Sequence, residues 1–130
     1  MKKVDLDDIV KELKRKDFET IDLAVLYNLV ADNFYFTGIT ISGYVSVTLG
    51  EKTADKYCSS TLVKKLYEGN YIDEWLFTLY FNIKKSLQQF KKEKGYKDNI
   101  DLRKKLISIN NLINEFCEQL KVLEEKSMRS

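Results

Sequence analysis

The sequence predicts an α+β fold, mainly α: about five helices, closed by a long C-terminal antiparallel helical hairpin, with a small antiparallel β-ribbon or meander inserted near the middle. Three observations predict it. Ile39, Ile41, Val45, Val47 and Leu49 alternate with Thr, Ser or Tyr, a period of two that suits a half-buried strand. Apolar residues elsewhere recur at helical spacing. Leu102, Leu106, Ile109, Ile113, Phe116, Leu120 and Leu123 step by four and three without a break, which is a heptad seam.

The elements follow in order within a single domain, 1–130. A first helix, about 5–15, starts at the N-cap Asp5 and carries the stripe Leu6, Ile9, Val10 and Leu13. A second, about 21–31, follows Thr20 and ends at Asp32-Asn33; it is apolar over more than half its surface. The ribbon, about 34–49, turns at Thr37-Gly38, because that register puts Phe34, Phe36, Ile39 and Ile41 on one face. A second bend near Gly43 would also keep the faces and make three short strands. Gly50 stops the ribbon. A helix of about 53–67 is capped by Thr53 and ended by Gly69.

The hairpin closes the chain with helices of about 71–94 and 100–126. In the first of these, Ile72, Leu76, Leu79, Ile83 and Phe90 match the partner's seam, and Trp75 to Ile83 is hydrophobic nearly all round.

Composition narrows the function classes. A chain of 130 residues with 44% hydrophobic and 32% charged residues is globular in style. No apolar run approaches the roughly 18 residues of a membrane span. The start, Met-Lys-Lys-Val-Asp-Leu-Asp-Asp, is too acidic for a signal peptide, so the expected location is the cytoplasm. There is no histidine, which rules out Ser-His-Asp and Cys-His catalysis within the chain. Cys58 and Cys117 alone cannot build an ordinary structural zinc site, and no D-x-D-x-D-G calcium loop is present. No cofactor or metal is expected. Both cysteines are expected to be reduced and structural, with Cys58 aligned on the core side with Leu62 and Leu66.

Two clusters stand out as candidate contact surfaces. Eight tyrosines, seven phenylalanines and one tryptophan are many for this length. Tyr35 and Tyr44 fall on the polar face of the ribbon, and with Trp75 and Phe77 they form the expected partner-binding set. The tip of the hairpin is basic: Lys91, Lys92, Lys94 and Lys97 with Tyr96 could neutralise phosphates and stack on a base. A solvated helix tip accounts for the same charges. Asp73 and Glu74 read as helix-start residues, with Glu68 the third carboxylate of that region. Ser59, Ser60 and Thr61 read as no nucleophile, because no base lies near them in sequence.

The function expected from this pattern is non-enzymatic: an interaction protein that binds and modulates a macromolecular partner. A free ribbon edge and the apolar stretch from Trp75 to Ile83 also suggest a homodimer. A nucleic-acid-binding regulator using the basic tip is one alternative, and a sequestering protein for a small nucleotide-like ligand is another. No membrane contact is expected. In size, lysine and asparagine content and lack of proline, the chain resembles products of AT-rich bacterial genomes and their phages. Phage inhibitors of host defence, such as anti-CRISPR proteins, are similar in size and style. That likeness is one of composition and carries no motif.

Overall fold

The computed structural model describes residues 22–92 and 100–129. Five helices account for nearly all of them: α1 (Leu23–Thr48), α2 (Glu51–Lys56), α3 (Ser59–Glu68), α4 (Glu74–Lys92) and α5 (Ile100–Arg129). The expected helix at 5–15 and the loop at the hairpin tip lie outside the described residues.

The ribbon is corrected: among the described residues there is no strand, and the fold is all-α. The segment read as a second helix, a break and a ribbon is one helix of 26 residues, about 39 Å long. Asp22 caps it, its carboxylate accepting from the Ala24 amide at 2.8 Å, and the expected cap Thr20 lies outside the described residues. Nothing breaks the helix at Asp32-Asn33 or at Thr37-Gly38. It ends where Leu49 and Gly50 both donate to the Val45 carbonyl and Gly50 takes φ +98°, which an L side chain would resist.

Burial explains why the helix wins over the alternation. Leu23, Leu26, Val30, Asn33, Thr37, Thr40 and Tyr44 are all buried, and they step by three and four along one side. This heptad seam is invisible to hydropathy because its middle third is Asn33, Thr37 and Thr40. The aliphatic alternation is not one face at all. Ile41 and Val45 lie in the core, whereas Ile39 is 56% exposed and Val47 is also exposed. The β-branched residues individually disfavour a helix by a few tenths of a kcal/mol each, and burial of the whole seam outweighs that.

α1, α4 and α5 form the bundle. α1 and α5 run parallel, since Asn33 meets Asn110, Thr40 meets Cys117 and Tyr44 meets Ser127. α4 runs against both. Tyr27 stacks on Phe90 at 5.3 Å and Phe34 meets Tyr80 at 5.2 Å, while Tyr80 meets Phe116 at 5.6 Å. Tyr80 therefore joins all three long helices at mid-height. The α4–α5 hairpin follows the expected seam: Leu106, Ile109, Ile113, Phe116 and Leu120 are buried, and Leu102 and Leu123 are partly so. A second seam on α5, through Asn110, Asn114 and Cys117, faces α1; it is polar and small.

The expected helix at 53–67 is two helices broken at Tyr57-Cys58. Thr53 lies inside α2, and Gly50 and Cys58 stand at the N-caps of α2 and α3. α3 closes at Gly69, but the left-handed residue is Asn70, at φ 63°. Tyr71 donates to the Leu66 carbonyl and Asn70 to that of Tyr67, a Schellman pair. Asp73 then caps α4 by accepting from the Leu76 amide at 2.9 Å.

Candidate functional site

α2 and α3 carry the chain from the end of α1 to the start of α4 and lie across the outer side of α1. Where α3 packs on α1, Gly38 permits the close approach: a Cβ there would stand 2.9 Å from Ser59 Oγ, so that hydroxyl would have to move. Beside this contact opens a groove of about 990 Å³. One wall is α1, with Phe34, Tyr35 and Ile39; the other is Tyr57 with the first turn of α3; Tyr80 and Lys84 of α4 form its floor.

The walls are mostly apolar. Tyr35 is 80% exposed, Ile39 sits one turn further along the same face, and the Tyr35 ring meets Phe36 edge-on at 5.8 Å. Tyr57 stands between two cations, with Lys65 Nζ 4.6 Å and Lys56 Nζ 5.4 Å from its ring centroid.

The floor is polar. Lys84 Nζ donates to Ser60 Oγ at 2.6 Å, and Ser60 Oγ stands 3.5 Å from the Tyr80 hydroxyl. Burial pushes the Tyr80 phenol up; the Ser60 hydroxyl pulls the other way, and the nearby Cys58 adds to the rise. In this geometry Ser60 Oγ is the acceptor of the Lys84 hydrogen bond. Its own hydrogen remains available to a further acceptor. Among the described residues Lys84 is the one charged side chain in the groove lining, and none of them is a carboxylate.

Cys58 lies at the rim. It is exposed and unpaired with Cys117, a correction to its expected place in the core beside Leu62 and Leu66. As the N-cap of α3 its thiol makes no cap hydrogen bond. Even so, it is held below the usual thiol range, first by the Thr61 hydroxyl at 3.4 Å, then by the amides of Thr61 and Ser60, with Lys84 adding to the effect. Cys117 is the opposite case, buried and pushed up by desolvation.

The residues expected to bind a partner do not form one surface. Tyr35 is on the groove wall. Tyr44 is turned into the core, 3% exposed, with its hydroxyl donating to the Tyr71 carbonyl at 2.7 Å; its expected place on a wet face is corrected. Trp75 is exposed on the first turn of α4. Phe77 is packed within the chain, stacked on Tyr67 at 4.4 Å and 5.0 Å from Phe81. Of the basic tip, Lys91 is exposed at the end of α4, and the Lys92 backbone is its last residue. The Lys92 side chain and Lys94, Tyr96 and Lys97 lie outside the described residues.

Ser60, Tyr80 and Lys84 were not singled out by sequence. Ser60 was passed over for want of a basic group nearby; Lys84 reaches it from 24 positions further on. Among the described residues no group of acidic, cysteine or histidine side chains could hold a metal ion, and no helix is long and apolar enough to cross a membrane. Comparison with protein-family models, with curated proteins and with solved structures finds no match.

Proposed function

We propose that this protein is a non-enzymatic interaction protein that binds and modulates a protein partner, and that the α1 wall of the groove is its docking surface. The observation that carries the reading is the pair Tyr35 and Ile39, 80% and 56% exposed on one face of α1 beside a groove of about 990 Å³. A large aromatic and a β-branched aliphatic held out on a rigid helix cost little entropy to bury, and such residues dominate interface energies. The mostly apolar groove lining, with one hydroxyl–lysine pair on its floor, supports a binding role. By composition the chain resembles small lysine-rich proteins of AT-rich genomes and phages. Inhibition of a host protein is the form of modulation we favour.

The reading is tested by co-purification from the native host with the chain and its Tyr35→Ala/Ile39→Asp variant. A partner retained by the first and lost by the second, with equal helicity by circular dichroism, is the expected result. Equal retention would remove the α1 wall as the docking surface. Sedimentation of the purified chain reads self-association separately; a monomer at high micromolar concentration would remove the homodimer.

A further inference from the structure

We infer that the floor of the groove is a binding site for a small organic anion with a flat apolar body. Three independent features converge on it. Lys84 is partly buried in the floor, donates to the Ser60 hydroxyl, and meets no carboxylate among the described residues of the lining. An ammonium in that position gains from any carboxylate or phosphate that can displace water from it.

Tyr80 is the second feature. It is 3% exposed, yet its hydroxyl approaches Ser60 only at 3.5 Å, longer than the roughly 2.5–3.0 Å of an O–H···O hydrogen bond. That contact is long enough for a closer acceptor in the groove to compete for the phenol hydrogen. The third is the first turn of α3. The first intrahelical bond there is Leu62 to Cys58, and the amides of Thr61 and Ser60 hold the Cys58 thiol, so the turn brings the positive end of a helix to the groove rather than free donors. Positive charge from two helices thus borders one place, and among the described residues no carboxylate lines it.

The rest of the groove sets the body of the ligand. Tyr35, Phe36 and Tyr57 present ring faces and edges, and Ile39 an aliphatic side, which suits a planar apolar group. A bare inorganic anion would leave those walls wet; a neutral aromatic would leave Lys84 unpaired. The site shares Tyr35 and Ile39 with the docking surface and differs from it in needing Lys84 on the floor.

The test uses adenosine monophosphate and naphthoate as phosphate and carboxylate probes, with adenosine and inorganic phosphate as the two halves. Binding is read by thermal shift and by the rate of iodoacetamide alkylation at Cys58, mapped by mass spectrometry with buried Cys117 as internal control. At least one of the two complete probes is expected to raise the melting temperature and slow Cys58 alkylation, and each half to do so at least about tenfold more weakly. Lys84→Met, which keeps the stem and removes the charge, is expected to weaken binding about tenfold or more, and Lys84→Arg to retain it. Should Lys84→Met not fold, Ile39→Asp removes the apolar wall from the other side and carries the same expectation. Failure of both probes at millimolar concentration, equal binding by either half, or binding unchanged in the folded variants would overturn the inference. Lys84→Met leaves the exposed wall in place, so partner capture by that variant reads the docking surface alone and the two readings fail separately.

Discussion

Asn33 Nδ2 donates to Asn110 Oδ1 at 2.6 Å, between two side chains buried to 1% and 3% exposure where α1 and α5 run side by side. The same nitrogen reaches Asn114 Oδ1 at 3.1 Å. One amide thus serves two acceptors a helical turn apart on α5, and that geometry exists at one register of the pair. A single buried asparagine layer is a known way to fix register between helices at some cost in stability.

Replacing Asn33 with leucine should therefore cost about 1–3 kcal/mol, because Asn110 and Asn114 keep their oxygens but lose the donor. The double variant Asn33→Leu/Asn110→Leu should recover a large part of that loss, since an apolar pair of similar size needs no donor. Urea midpoints measure both. A single variant as stable as the parent would show that the contact contributes nothing net.

At Gly38 two effects of similar size oppose each other. Alanine gains about 1 kcal/mol of helix propensity over glycine, but its Cβ stands 2.9 Å from Ser59 Oγ, so the hydroxyl must rotate away. Gly38→Ala should then lie within about 1 kcal/mol of the parent, and Gly38→Ala/Ser59→Ala above it. Gly38→Val adds methyls that rotation cannot accommodate and should cost about 1–3 kcal/mol. Thermal melts followed by circular dichroism rank the three; a valine variant at parental stability would mean that α3 shifts freely on α1.

The hairpin was legible because its seam is apolar. Leu106 to Leu120 announces itself by spacing alone, and the cap at Asp73 by residue type. The opposite side of the same helix was not legible, because Asn110 and Asn114 are polar and Cys117 is small, which leaves no apolar stripe. α1 failed for the matching reason. Its seam is carried through the middle by Asn33, Thr37 and Thr40, so the strongest surviving signal was a chance alternation of Ile39, Ile41, Val45 and Val47 around the helix. Hydropathy periodicity reports apolar contact, and here α1 and α5 meet through hydrogen bonds and small side chains. The groove was half legible: Tyr35 stood out as an exposed aromatic, but Ser60, Tyr80 and Lys84 come together only when α3 packs on α4.

The two thiols should react very differently. Cys58 is exposed and held below the usual thiol range, whereas Cys117 is buried and pushed above it. Near pH 7 iodoacetamide should modify Cys58 well before Cys117, with a rate–pH midpoint lower than the roughly 8.5 of a free cysteine. Thr61→Val should raise that midpoint, and Lys84→Met should raise it by less, following the order of the causes. Mass spectrometry of timed quenches reads both sites at once. An ordinary midpoint at Cys58 would remove the α3 N-terminus as an electropositive corner.

Alkaline pH should weaken the fold through Cys117 and Tyr80. Both are raised by burial, from ordinary values of 9.0 and 10.0. Below those values each group is protonated in the folded and unfolded chain alike, and its contribution is fully present. As pH rises past them the unfolded chain releases its protons first. It then binds fewer protons than the native state, and stability falls by at most about 1.4 kcal/mol per pH unit for each group until the folded value is passed. Urea midpoints should therefore decline from about pH 9 and more steeply above about 10. Cys117→Val should remove the first part of the decline, because valine fills the space without a titrating proton. Tyr80→Phe should soften the second part and leave the three-helix aromatic contact in place, since the rings of Phe34 and Phe116 still meet it. A Tyr80→Phe chain whose alkaline decline matches the parent's would show that its phenol ionises as freely in the groove floor as in the unfolded chain.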